Sequence, residues 1–155
     1  MSKFQSTKVF DGFSTVFRQW RAEGTHCKYI HGYDVSFKLW FEGDLDERQW
    51  VWDFGGFRRT KGTIDNMTPK QWISYMFDHT FIVAEDDPQL PLFASMHEQG
   101  LVQLRVIKAV GAERFAQFIY EKVNPFIVQE TQGRVRVIRV EFREHHRNAA
   151  IYEPA

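Results

Sequence analysis

The chain has 155 residues, enough for one domain with a buried core. Its 20 basic and 20 acidic side chains cancel to a formal charge of +0, so no long-range field draws it to nucleic acid or to an anionic membrane. One cysteine excludes an internal disulfide framework, and no stretch reaches the ~20 apolar residues that a membrane helix requires.

Lys3, Gln5 and Lys8 interrupt any apolar leader, so the expectation is a cytoplasmic protein with a single domain over residues 1–155. Val9 to Phe17 is rich in β-branched and aromatic residues and reads as the first strand. Tyr33 to Phe41 reads as the second, with Tyr33, Val35, Phe37, Leu39 and Phe41 on one face and Asp34, Ser36 and Lys38 on the other. The same period of two puts His31 on the face of Tyr33. Glu42-Gly43-Asp44 is a turn signal. Thr68 and Pro69 supply the cap and first position of a helix over Lys70 to Phe77, whose apolar residues are Trp72, Ile73, Met76 and Phe77. Val106 to Val110 is a short extended piece, and Gly111-Ala112-Glu113 opens a second helix with an apolar stripe of Phe115, Phe118, Ile119 and Val123. Pro125 is expected to limit that helix. Arg134 to Phe142 is the last long strand, with Ala149 to Tyr152 as a short partner. Strands before, between and after two helices predict an α+β fold with a mostly antiparallel sheet of about four strands. Aromatic content is 16%, including 15 Phe and 5 Trp, which suggests rings in subunit contacts as well as in a core.

Chemistry concentrates in Thr25-His26-Cys27-Lys28-Tyr29-Ile30-His31-Gly32-Tyr33, where the only cysteine lies four residues before a histidine. A thiolate is a nucleophile or base where neighbours lower its pKa, and an imidazole is a common means. A lone cysteine is otherwise an ordinary small buried hydrophobe. Asp78-His79 pairs a carboxylate with an imidazole at the end of the first helix, an arrangement that fits either proton transfer or a solvated helix end. Glu141, taken alone, is an exposed strand residue.

In this order these segments resemble the 6-pyruvoyl-tetrahydropterin synthase and 6-carboxy-tetrahydropterin synthase family. Phe13-Ser14-Thr15-Val16-Phe17 stands where that family has Phe-Ser-x-x-His, and Cys27 to Tyr33 where it has Cys-x-x-x-His-Gly-His. Trp50-Val51-Trp52-Asp53-Phe54 is similar to the segment before its first helix. The resemblance implies the tunnel fold, in which sheets join across subunits into a barrel, as trimers or hexamers. It implies Cys27 as base, Asp78 and His79 as acid, and Glu141 as the anchor that accepts hydrogen bonds from a pterin. Glu141-Phe142 stands in place of the common Glu-Thr.

The family binds zinc through three histidines, and the matching positions are Phe17, His31 and Tyr33. Only His31 keeps a metal-binding ring, whereas catalytic zinc normally takes three protein ligands. Zinc is thus implied by the family and opposed by the residues; His26, Cys27 and His31 are left as an unusual alternative set. Arg18, Arg21, Lys28 and Arg143 are candidates for substrate phosphates or plain solvated cations. Glu113 lies near the family's helix-opening glutamate, though its flanks differ, and His97, His145 and His146 read as surface residues.

Two functions follow from the resemblance. One is an enzyme acting on 7,8-dihydroneopterin triphosphate, with a degenerate zinc site and either a pyruvoyl or a carboxy product. The other is a non-catalytic pterin or purine binder, which would need none of Cys27, Asp78 and His79. The pathway, whether queuosine synthesis or biopterin or folate supply, is open at this level.

Overall fold

The computed structural model describes residues 3–155 and contains a six-stranded sheet. In chain order the strands are β1 (Phe4–Phe17), β2 (His31–Gly43), β3 (Thr80–Ala84), β4 (Leu104–Ile107), β5 (Val135–His145) and β6 (Asn148–Tyr152). The helices are α1 (Gly56–Arg59), α2 (Pro69–Phe77), α3 (Leu90–Glu98) and α4 (Ala112–Glu130), with a 3-10 turn at His26–Lys28. Across the sheet the order is β4-β3-β1-β2-β5-β6. The β1–β2, β2–β5 and β5–β6 pairs are antiparallel; β1–β3 and β3–β4 are parallel. This is the α+β architecture expected of a tunnel fold, with six strands where about four were expected, β4 overlapping the extended piece at Val106, and four helices where two were expected.

The extra elements have a physical reason. Every residue of Thr80-Phe81-Ile82-Val83-Ala84 is buried, because α2 and α4 cover one face of the sheet while Phe93 of α3 packs on Phe81 and Val83 from the other. A strand buried on both faces has no apolar alternation to read.

The expected limit at Pro125 does not hold. Helix α4 runs through it to Glu130. Proline removes one helical hydrogen bond, but Val123, Phe126 and Ile127 on either side are buried at 0–3% exposure. The Asn124 carboxamide also accepts a bond from the Val137 amide at 2.9 Å, tying this turn to β5. At the start of α2 the expected cap is present: Thr68 Oγ1 accepts from the Gln71 amide, and Gln71 reaches back to the Thr68 amide.

The core lies between the sheet and helices α2 and α4. Val35, Phe37, Leu39 and Phe41 alternate inward along β2, as the sequence period requires. Phe10 pairs with Phe37, but Phe13 then pairs with Val35, so β1 carries one residue more than β2 between these points. The bulge includes Gly12, whose φ of +82° suits glycine. It reverses the parity of β1: Phe10 faces inward before it, and Thr15 and Phe17 face inward after it.

Replacing Gly12 with Val therefore forces a β-branched residue into a left-handed conformation. A loss of about 1–2 kcal/mol in chemical denaturation is expected, whereas an unchanged midpoint would show that the bulge relaxes without cost.

Candidate functional site

The candidate residues gather at one end of the sheet, where β1 ends, β2 begins, β5 ends and α4 begins. The β1–β2 register sets Phe17 opposite His31 and Thr15 opposite Tyr33. The Phe17 and Tyr33 rings stack at 4.0 Å and 12° between planes, and His31 lies on Tyr33 at 4.0 Å and 31°. Phe17 is fully buried and meets Phe115 of α4 edge-on at 4.9 Å. The three family metal positions are thus brought together, as the period of two suggested, but as a pile of rings.

Cys27 sits in the 3-10 turn just before β2. Thr25 holds that turn by accepting from the Cys27 amide at 3.2 Å, and the Cys27 carbonyl accepts from the Gln19 amide at 2.8 Å. The loop is fastened at its root by Arg18, whose guanidinium donates two bonds, of 2.9 and 2.6 Å, to the almost fully buried Asp87 carboxylate. Burial alone would push Asp87 up, but Arg18 and the Gln89 amide outweigh it and hold the carboxyl below its usual range. Trp20 and Arg21 add bonds to Asp86.

An acid that the sequence did not single out faces this cluster. Glu144 lies two residues beyond the buried Phe142, on the inward parity of β5, beside the Ala112 amide that opens α4. Its carboxyl is raised above the usual range, first by burial and then by Glu113, against the partial relief of His145 and His31. Tyr33 in turn is pushed up to about 12 by burial, then by the nearby charges of Glu144 and Cys27, so its phenol stays neutral. Glu113, set at the first turn of α4 by Gly111, therefore belongs to the site environment. The sequence signal for Glu144 is an acid at an inward strand position.

Glu141 has a different setting. It pairs with Lys38, whereas its neighbour Phe142 pairs with the core residue Phe37. Tyr33 shares the face of Phe37, so Glu141 stands on the opposite face of the sheet, in an ion pair of 3.3 Å with Arg143. Of the cations considered for phosphate, Arg18, Arg21 and Arg143 are all engaged with carboxylates, and Lys28 lies over the Tyr29 ring. His26 has its ring 6.4 Å from Tyr29, and the His145 and His146 rings lie 5.7 Å apart. His97 Nδ1, in the last turn of α3, lies 3.1 Å from both the Val102 carbonyl and the Leu104 amide and bonds one of them according to its tautomer, a local structural contact.

Asp78 and His79 form a dyad in which His79 Nδ1 lies 3.0 Å from Asp78 Oδ1. The segment is pinned to β1 by the His79 amide donating to the Ser14 carbonyl at 2.6 Å and by the Ser14 amide donating to Asp78. His79 occupies the left-handed region at φ +58°, where glycine would cost less after a helix, and its side chain is 75% exposed. With Nδ1 against the carboxylate, Nε2 has no hydrogen-bond partner among the described residues. Among the described residues, no hydrogen bond or ion pair joins this dyad to the Cys27 cluster.

Zinc does not fit the ring positions. Phe17 has no donor atom, the neutral Tyr33 phenol is a poor one, and His31 Nδ1 faces the Gly32 carbonyl at 3.0 Å. Among the described residues no group of three His, Cys, Asp or Glu side chains is placed to hold a metal ion, which also sets aside His26, Cys27 and His31 as a ready-made set. Nor is any helix among them long and apolar enough to cross a membrane.

Because Glu144 is raised in the fold above its unfolded value, its ionisation disfavours folding; the penalty is present at neutral pH and vanishes below the unfolded pKa. Glu144→Gln should thus be more stable than the wild type at pH 7, with the difference closing near about pH 4 in thermal melts. A difference independent of pH would mean that the carboxyl is not held in this way.

Comparison with known proteins places this geometry. The family model of 6-pyruvoyl tetrahydropterin synthase matches residues 7–155. No curated protein matches the sequence. Among solved structures, an uncharacterized protein from Wolinella succinogenes is similar at 21% identity and a TM-score of 0.77, with 100% of both chains covered. The 6-pyruvoyl tetrahydropterin synthase of Plasmodium falciparum is similar at 14% identity and 0.67, with 99% of each chain covered. That of Caenorhabditis elegans follows at 14% and 0.63, covering 100% of this chain and 98% of its own. At such identities the structures bear on the fold alone, and it is the family match over nearly the whole chain that decides membership. The chain belongs to the 6-pyruvoyl tetrahydropterin synthase family.

Proposed function

We propose that the protein is a tetrahydropterin synthase-like lyase that acts on 7,8-dihydroneopterin triphosphate or a closely related pterin. The observation that carries this reading is the convergence of Cys27, His31, Tyr33, Glu113 and Glu144 at one end of the sheet, within a family of pterin-processing enzymes. In this reading the Cys27 thiolate takes a proton from a hydroxyl-bearing side-chain carbon, and the electron pair left there forms an enol through the conjugated ring C=N; a second abstraction, next to the ketone so formed, expels the triphosphate with the electron pair of that second C–H bond. His79, oriented by Asp78, returns a proton to the neighbouring carbon through Nε2. A carboxylate grips the flat amino and ring N–H edge of the pterin by paired hydrogen bonds.

Glu144 is the better placed of the two anchor candidates. It lies on the face of Tyr33 and beside the Cys27 environment, while Glu141 is turned away and neutralised by Arg143. The dyad, exposed and apart from Cys27 within one chain, serves the site of a neighbouring subunit. The sheet allows this. Strand β1 pairs with β3 only at Thr15 and Val16, so most of its length has an edge free for a second copy, and β6 offers the outer edge on the other side. A trimer or hexamer is expected in light scattering with size exclusion; a monomer that still turned over substrate would remove the shared site.

The other reading is a pterin or purine binder without catalysis, favoured by the ring pile at the family's metal position. Cys27→Ala separates the two. Turnover should be abolished while pterin binding is retained, and unchanged turnover would take the thiol out of the mechanism. For the anchor, Glu144→Gln should weaken pterin binding by about tenfold or more and Glu141→Gln much less; the reverse order would restore Glu141 to that role.

A further inference from the structure

A metal ion needs donors about 2.0–2.2 Å away on several sides and a space of its own between them. At this site the space is filled. The Phe17 and Tyr33 rings lie face to face with centroids 4.0 Å apart, and His31 covers the other side of Tyr33 at the same centroid separation. Contact at that distance is van der Waals contact, which leaves no volume between the rings for an ion.

The pile is also built into the core at one end. Phe17 is 0% exposed, its edge contact with Phe115 links it to α4, and Phe115 touches Phe77 and Phe142 in turn. Moving Phe17 aside for a metal would open a cavity in the centre of the protein. Tyr33 is held on both faces, so it cannot rotate out without breaking two ring contacts. The pile is therefore a packing unit continuous with the hydrophobic core.

Resting on the family membership and on the site described above, we propose that this ring pile has replaced the metal: Phe17, Tyr33 and His31 form a zinc-free floor that sets Cys27 and Glu144 against a pterin. The proton transfers at this site then fall to side chains alone. The replacement is confined to Phe17 and Tyr33, because the β1–β2 register still aims positions 17, 31 and 33 at one another. Returning histidine to these two positions should rebuild a three-histidine set.

The test is zinc stoichiometry by elemental mass spectrometry on the full chain, purified without tag or chelator, then equilibrated with zinc sulfate and desalted. The wild type should retain less than about 0.1 zinc per chain, and the Phe17→His/Tyr33→His variant close to one, with a zinc-dependent rise in melting temperature. One zinc per wild-type chain, lost in His31→Ala, would overturn the proposal. So would a double variant that keeps the wild-type circular dichroism yet gains no zinc. Because Phe17→His puts a polar ring in the core, Tyr33→His alone serves as a second variant that keeps Phe17: with two histidines and the core ring in place it should retain no more zinc than the wild type, and one zinc per chain in it would overturn the claim that the Phe17 ring closes the site. The wild-type measurement decides even if neither variant folds. Metal counting is independent of turnover: a zinc-free protein with no action on pterins would end the functional reading, and with it the role of the floor toward a pterin, and leave standing the replacement of the metal by the rings.

Discussion

The site depends on one irregularity in the longest strand pair. A single extra residue in β1, accommodated at Gly12, switches which side chains of that strand face the core. Continued without it, the alternation that points Phe10 inward would turn Thr15 and Phe17 outward. Because of it Thr15 and Phe17 join Tyr33 on the inner face, and Thr15 Oγ1 donates to the Phe77 carbonyl at 2.6 Å, fixing the end of α2. The end of α2 in turn delivers Asp78 and His79 to Ser14. One backbone defect thus positions both the ring pile and the dyad.

The rest of the site is assembled from ends of elements, where backbone groups and charges are least satisfied internally. The opening of α4 contributes the Ala112 amide and Glu113, the last turn of β5 contributes Glu144, and the loop clamped by Arg18 and Asp87 contributes Cys27. A helix N-terminus tolerates negative charge, which lets two acids approach each other there. Their proximity and burial keep Glu144 more readily protonated than an exposed glutamate. By contrast, the apolar cleft of about 510 Å³ lined by Phe4, Trp50, Trp52 and Phe54 lies at the far end of β1, remote from this chemistry.

What could be read from the sequence followed from periodicity and short-range chemistry. The inward face of β2, the Thr68-Pro69 start of α2 and the glycine before α4 were legible because each is a local pattern with a local cause. Strand β3 was hidden because burial on both faces erases alternation, and the continuation of α4 past Pro125 because its support comes from β5. Glu144 was visible in principle, two residues after Phe142 on the same parity. The family motif points instead to Glu141, whose orientation only the strand pairing discloses. Of the aromatic excess, expected both in a core and in subunit contacts, the core takes Phe17, Phe37, Phe41, Phe57, Phe77, Phe115 and Phe142, which are almost entirely buried, while Phe4 and Trp50 are about half exposed.

The central claim is that a pterin is held at the end of the sheet without help from a metal. Its most direct test is a titration of chelator-treated wild-type protein with a fluorescent pterin, followed by quenching, with and without added zinc. Saturable binding of one pterin per chain, indifferent to zinc, is the expected result. No saturable binding, or binding that appears only when zinc is restored, would contradict it.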